Sequence, residues 1–351
     1  MKQNVKQREA TGTVDCKKMI RSGIYGLMVA DALGVPVEFK SRESLKKTPV
    51  HGMMGGGTHH QPAGTWSDDS SMTLCLMDSI AKTGGIHTND IMTRFVEWMD
   101  HGAYTPHEEV FDCGHTVAQA IFRYKGGVTA ALCGGNKPSN NGNGSLMRIL
   151  PMTFALYPLY GKDLTESGRV MELIYKISGL THRHPVAQAC CGVYVNIAAA
   201  LFSGKDKETA VYRSVPDCRL WYGRHERFDV IFESLQRVFD VEQLKAAHED
   251  DIESGGYVVE TLEAALWCLL NTDNYSDCVL KAVNLGGDTD TTGAVAGGLA
   301  GLAYGLEGIP REWMDVLPQR KMIDSACDAM AAYMEAAVHG NADVEEDGND
   351  G

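Results

Sequence analysis

The chain has 351 residues, 44% of them hydrophobic, with 32 Lys and Arg against 46 Asp and Glu and a formal net charge of −14. That is enough apolar material for one large domain or two small ones. The acidic balance repels nucleic-acid phosphates, so no nucleic-acid role is expected, and it favours a neutral or basic partner. The ten cysteines form no C-x-x-C pair and fall in apolar stretches, as at Cys75, Cys190, Cys191, Cys268 and Cys278. They read as small core residues of a reducing compartment, neither metal ligands nor a disulfide framework.

Residues 1–17 are polar, carry several lysines and are expected to form a flexible extension. The first nineteen residues lack the apolar centre of a signal peptide, and the run Ala294 to Leu306 is too short and glycine-rich to span a membrane. A cytoplasmic monomer with no membrane contact is the expectation. Met19 to Leu33 reads as a buried helix through Ile20, Ile24, Leu27, Met28 and Ala32, ended by Gly34 and Pro36. Glu38 follows in an apolar Val/Phe setting, where an unpaired carboxylate would be costly, so a cationic partner is expected nearby. His51 to Gly64 is a loop rich in glycine and histidine. Its adjacent His59 and His60 lack a third ligand at metal spacing and read as loop residues.

The T-W-S-D-D-S stretch at 65–70 comes next, with Ser67, Asp68 and Asp69 leading into a helix at 70–83. Further helical spacing is found at 88–101, 113–124, 165–178, 185–202, 227–237, 257–271, 275–284, 292–306 and 321–338. Period-2 alternation is nearly absent, which predicts an all-α fold in one domain from about residue 18 to 339, with loops carrying the site. Residues 340–351 are acidic, lack apolar anchors and are expected to be a disordered tail.

Gly286-Gly287-Asp288-Thr289-Asp290-Thr291-Thr292-Gly293 repeats the chemistry of 65–70 near the other end of the chain, and an apolar run of small residues suited to a tightly packed helix follows it. Either cluster alone makes a good helix cap. Together their carboxylates and hydroxyls are hard oxygen ligands that could close around a pair of divalent cations, as in two-metal hydrolases. Between them lie four weaker signals. The Gly/Asn loop at 139–148 can cradle phosphate oxygens on backbone N–H groups, with Arg148 adding charge or partnering a carboxylate. Asp112, in F-D-C-G-H-T at 111–116, is either an N-cap or a site acid. His182, in T-H-R-H-P at 181–185, either bonds a ribose or phosphate oxygen or packs at a helix start. Tyr257, after two glycines, either stacks on a base or joins the core.

In this order, and with G-L-M-V-A-D-A-L-G at 26–34, these segments resemble the ADP-ribosylglycohydrolase family over nearly the whole chain. The resemblance implies an all-α, roughly orthogonal helix bundle holding two Mg²⁺ or Mn²⁺ ions. It assigns Ser67, Asp68, Asp69, Asp288, Asp290 and Thr291 as metal ligands; position 67 is often Thr in relatives, and Ser keeps the hydroxyl. It implies catalytic roles for Glu38, Asp112 and Asp290, and substrate contacts for Gly114, Asn143, Gly144, Ser145, Arg148, His182 and Tyr257. The implied activity removes ADP-ribose from a modified protein side chain, with arginine as the leading acceptor and serine-linked or O-acetyl compounds as alternatives. A second implied role is binding and blocking an ADP-ribosyltransferase through the N-terminal 17 residues. Cleavage at the anomeric carbon passes through an oxocarbenium-like state that carboxylates stabilise, and a proton must reach the leaving group. Asp112 and Glu38 are equal candidates for handling it.

Overall fold

A computed structural model describes residues 15–340. The expected acidic tail and most of the expected N-terminal extension lie outside them. The near absence of alternation has its counterpart here: no strand forms among the described residues, only isolated bridges at Gly56 with Gln61, Gly135 with His182, and Gly142 with Tyr257. The longer helices are α1 (Cys16–Gly34), α2 (Asp68–Thr83), α3 (Thr88–His101), α4 (His115–Lys125), α5 (Pro151–Tyr160), α6 (Gly168–Gly179), α7 (Pro185–Phe202), α8 (Lys207–Tyr222), α9 (Val258–Leu270), α10 (Tyr275–Asn284), α11 (Thr289–Tyr304) and α12 (Arg320–Val338).

α1 and α7 are apolar enough to cross a membrane by length and composition, yet 94% of each is buried inside the protein. They are the core helices on which the others pack. α1 lies closest to α11, and glycines make that approach possible. A Cβ on Gly26 would fall 2.4 Å from the Gly297 carbonyl oxygen, and one on Gly301 would fall 2.1 Å from that of Ser22. The small-residue run after the second acidic cluster is thus a packing surface for α1, where backbones meet with no side chain between them.

Several boundaries differ from the periodicity. α1 begins at Cys16, because Asp15 caps it by accepting from the Lys18 N–H at 3.0 Å; the helix therefore starts before residue 18. α11 begins at Thr289, so Asp288 is its N-cap residue and Asp290 lies in its first turn. The expected helix at 227–237 is broken into short turns at Glu226–Phe228, Ile231–Ser234 and Gln236–Phe239. α5 and α8 escape the periodic reading. α5 is apolar nearly all round, and α8 contains Pro216, which interrupts the pattern without ending the helix.

Candidate active site

The close approach of α1 to α11 carries the site. Gly34 ends α1 against the backbone of Asp290, and the Thr289 hydroxyl donates to the Gly34 carbonyl at 2.8 Å. One turn earlier on α1, Asp31 is fully buried. Its carboxylate accepts from the Ser67 N–H at 3.0 Å, the Ser70 N–H at 3.1 Å and the Ser70 hydroxyl at 2.5 Å. Asp31 therefore ties the start of α2 to α1, and through it the first acidic cluster is set beside the second. The Thr291 hydroxyl donates to Asp69 Oδ2 at 3.3 Å, across 222 positions of sequence. The Ser67 hydroxyl donates to the same oxygen at 2.9 Å.

Two groups of ligand oxygens result, each with its members within 4.8 Å of one another: Asp31, Asp69 and Asp290, and Glu38, Asp288 and Asp290. Asp290 belongs to both and links them. Asp68 is buried beside them, with its carboxylate facing the Gly114 backbone amide. The glycine turn before Asp288 is forced into shape. Gly286 and Gly287 have φ of 81° and 73°, and a Cβ on Gly287 would lie 2.5 Å from the Ser254 carbonyl oxygen. The Gly287 N–H donates to the Lys40 carbonyl at 2.8 Å, and the Phe39 N–H donates to the Gly287 carbonyl at 2.7 Å, which brings Glu38 alongside.

Glu38 is hydrogen-bonded to His59 Nε2. The partner of Glu38 is thus a histidine from the loop at 51–64, so His59 is a site residue where the sequence read a plain loop position. Glu38, His59 and Asp112 form a third group within 4.8 Å, and the His59 ring lies 5.1 Å from the Phe111 ring.

So much uncompensated acid has a clear electrostatic consequence. Burial, then neighbouring carboxylates, raise Asp68, Asp69 and Asp290 well above the usual carboxylate range. Burial raises Asp31 to about 6, opposed by its hydrogen bonds from Ser70 and Ser67. Glu38 is pushed to about 9 by burial and then by Asp112, Asp288, Asp68 and Asp31. Moreover, Asp69 Oδ1 and Asp288 Oδ1 are buried without a hydrogen-bond partner. Buried carboxylate oxygens left unpaired at this density fit hard divalent cations, which these same side chains and hydroxyls are chemically suited to bind.

The residues expected to touch substrate divide into two sets. Asn143, Gly144 and Tyr257 meet beside the acidic groups: the Asn143 N–H donates to the Gly256 carbonyl at 3.1 Å, and Gly142 bridges Tyr257, which is half-buried. The Asn143 side-chain amide, however, donates to Asp288 Oδ2 and to the Thr261 hydroxyl, each at 2.9 Å. It positions the Asp288 carboxylate. Gly114 is exposed at the start of α4, where a Cβ would make only an ordinary contact, 3.8 Å from Val117 Cγ2.

Ser145 and Arg148 face the other way, into the protein. Ser145 is fully buried, accepting from the Ser178 hydroxyl at 2.9 Å. Arg148 is fully buried as well. Its guanidinium donates to the Gly144 carbonyl, to the Thr181 hydroxyl at 2.8 Å and to the Ile177 carbonyl, and it lies 5.0 Å from the Phe95 ring centre. Every named partner is internal, so Arg148 braces the 142–148 loop from behind. His182 is 2% exposed, bonded through Nδ1 to the Thr181 hydroxyl at 2.8 Å and packed against Gly142 and Gly144. Burial, then Arg148, lowers it to about 3, so its imidazole is neutral and supports the glycine loop. Asp31 carries no role in the sequence reading. Its signal was present: a carboxylate on the same apolar helical face as Leu27 and Met28.

This arrangement has counterparts. The ADP-ribosylglycohydrolase family profile matches residues 13–341. The chain belongs to that family. It is 30% identical over 311 residues to ADP-ribosylarginine hydrolase Tri1 of Serratia proteamaculans (strain 568), covering 88% of this chain and 78% of the relative. It is 31% identical over 315 residues to ADP-ribosyl-[dinitrogen reductase] glycohydrolase of Rhodospirillum rubrum, covering 88% and 93%. A solved structure described as an ADP-ribosylglycohydrolase-related protein complex superposes with a TM-score of 0.74 at 29% identity, covering 91% of this chain and 99% of that one. As an ADP-ribosylglycohydrolase, the chain is a glycosyl hydrolase.

Proposed function

We propose that this ADP-ribosylglycohydrolase releases ADP-ribose from ADP-ribosylated arginine in a protein, with two divalent cations held by Asp31, Ser67, Asp68, Asp69, Asp288, Asp290 and Thr291. The observation that carries the reading is the meeting of the two acidic clusters, with Thr291 bonded to Asp69 and orphaned oxygens on Asp69 and Asp288. The arginine linkage is supported by the names of the relatives in Serratia proteamaculans and Pseudomonas putida (strain GB-1), both ADP-ribosylarginine hydrolases.

The bond that breaks joins the ribose anomeric carbon to a guanidino nitrogen, and the bond that forms joins that carbon to a water oxygen. The water loses one proton and the leaving nitrogen gains one. Bound cations supply Lewis acidity toward the ribose hydroxyls and the water. The remaining work falls to the chain. Ser67 and Ser70, donating to Asp31, and Asn143, donating to Asp288, hold these carboxylates in place. Glu38, hydrogen-bonded to His59 and beside Asp112, is placed to hold or move the proton. Tyr257, bridged to Gly142, stands where the nucleotide end of the substrate can be gripped.

The test is to incubate the protein with ADP-ribosylated arginine substrate, with Mg²⁺, with Mn²⁺ and with EDTA, and to measure free ADP-ribose. Serine-linked and O-acetyl substrates belong in the same series. Release that is insensitive to EDTA, or absent from the arginine substrate alone, would contradict the proposal.

A further inference from the structure

Val37, Glu38, Phe39 and Lys40 make a tight turn, closed by the Lys40 N–H donating to the Val37 carbonyl at 3.0 Å. Glu38 has φ −51° and ψ 141°, and Phe39 has φ 64°. This is a type II turn, whose third position needs a positive φ and is ordinarily glycine. The turn is held from outside by backbone bonds alone. The Phe39 N–H donates to the Gly287 carbonyl at 2.7 Å, and the Thr58 hydroxyl donates to the Glu38 carbonyl at 2.6 Å. The Phe39 ring adds little to the core: it is 69% exposed, the most of the large apolar side chains among the described residues. A bulky residue kept at a strained position, without burial to offset the strain, points to a use for its side chain.

The surroundings of the ring say what that use is. Its centre lies 6.1 Å from that of the His59 imidazole, and the half-buried Phe111 ring lies 5.1 Å from the same imidazole. His59 is bonded to Glu38 and grouped with Asp112, the residue after Phe111. Two aromatic rings thus border the carboxylates placed to hold or move the proton. That proton goes to the departing guanidino nitrogen, so the acceptor side chain stands at Glu38 and Asp112 when the bond breaks. A guanidinium is planar and weakly hydrated, and it stacks on aromatic faces. Glu38 and Asp112 complement its charge. A serine-linked acceptor offers neither the plane nor the charge.

We propose that Phe39, with Phe111, forms the acceptor subsite and selects arginine by stacking on its guanidinium; this rests on the arginine reading above. The experiment measures kcat and KM of the full-length protein on an ADP-ribosylated arginine substrate with Mg²⁺, together with Ki for free ADP-ribose, which lacks the acceptor. Phe39→Gly relieves the positive φ, so it is expected to melt at or above the wild-type temperature. It should nevertheless lose about three- to thirtyfold in kcat/KM, with Ki unchanged. Phe39→Leu, apolar but without a π face, should lose in the same direction, and Phe39→Trp should restore the wild-type value. A kcat/KM within about twofold of the wild type in both Phe39→Gly and Phe39→Leu would overturn the proposal while leaving the arginine reading intact. A Ki that rises in step with KM would also overturn it, placing Phe39 at the ADP-ribose. Wild-type protein that releases nothing from the arginine substrate would overturn both.

Discussion

Gly34 touches the backbone of Asp290: a Cβ on it would lie 2.4 Å from both the N and the Cα of Asp290. The contact fixes the distance between the end of α1 and the start of α11, and so between Asp31 and Asp290. Gly34→Ala is therefore expected to cost on the order of 1–3 kcal/mol through overpacking, and to lower turnover by more than the stability loss explains. Thermal melts together with steady-state kinetics on the folded fraction check this. Full activity in Gly34→Ala would show that the spacing is not critical.

Asp290 stands in both carboxylate groups and is raised by burial and then by Glu38, Asp288 and Asp69. Removing its charge relieves repulsion when cations are absent and removes a ligand when they are present. Asp290→Asn should melt in EDTA at or above the wild-type temperature, lose the upward shift that Mg²⁺ or Mn²⁺ gives the wild type, and lose turnover by at least about a hundredfold. A retained cation-induced shift would remove Asp290 from the ligand set.

The pH dependence has a defined sign. Asp31 is raised from 3.8 to about 6 and Glu38 from 4.5 to about 9, burial being the largest cause in both. A carboxyl raised on folding contributes stability that is complete below its unfolded value and is lost as pH rises through its folded value. In EDTA, this contribution should fall as pH rises from about 4 toward about 9. Cations offset the accumulating negative charge, so the melting-temperature difference between Mg²⁺ and EDTA should widen over the same window. Scanning calorimetry at stepped pH measures it, and a difference that narrows with rising pH would contradict the assignment of these carboxylates to a cation site.

His59 bonds Glu38 and sits against Phe111. If the pair serves the proton transfer, His59→Ala should lower kcat by roughly 10²–10⁴-fold, in the range general acid–base groups contribute, with little change in KM or melting temperature. A change confined to KM would assign His59 to binding.

Arg148 is expected to behave as a structural residue. Arg148→Met keeps bulk on the Phe95 ring but removes the guanidinium bond to the buried Gly144 carbonyl and one of the two bonds of the Thr181 hydroxyl. A loss of about 2–4 kcal/mol in denaturant unfolding is expected, since buried polar partners lose hydrogen bonds. Cation binding by the folded variant should be retained. Unaltered stability with a large rise in KM would return Arg148 to the substrate.

Much of this protein could be read directly from its residues. Apolar spacing located α1, α2, α3, α7, α9, α10 and α12 because a helix buries one stripe of its own local sequence, and that stripe recurs every three or four residues. The two Asp-rich stretches declared their ligand chemistry, since neighbouring carboxylates and hydroxyls offer hard oxygens whatever the fold. Side-chain direction did not follow from the same information. Ser145 and Arg148 lie in a segment that looks like a phosphate loop and turn inward, while His59 lies in one that looks featureless and turns to Glu38. The direction of a loop side chain depends on what distant parts of the chain place beside it. For Ser145 and Arg148 that is the end of α6 and the turn after it, for His59 it is Glu38, and the two acidic clusters meet through the glycine contacts between α1 and α11, close enough that Gly26 and Gly297 meet backbone to backbone. The residue types of the site were thus determined locally; that they form one site, with Asp31 at its base, was decided only by the packing of those two helices.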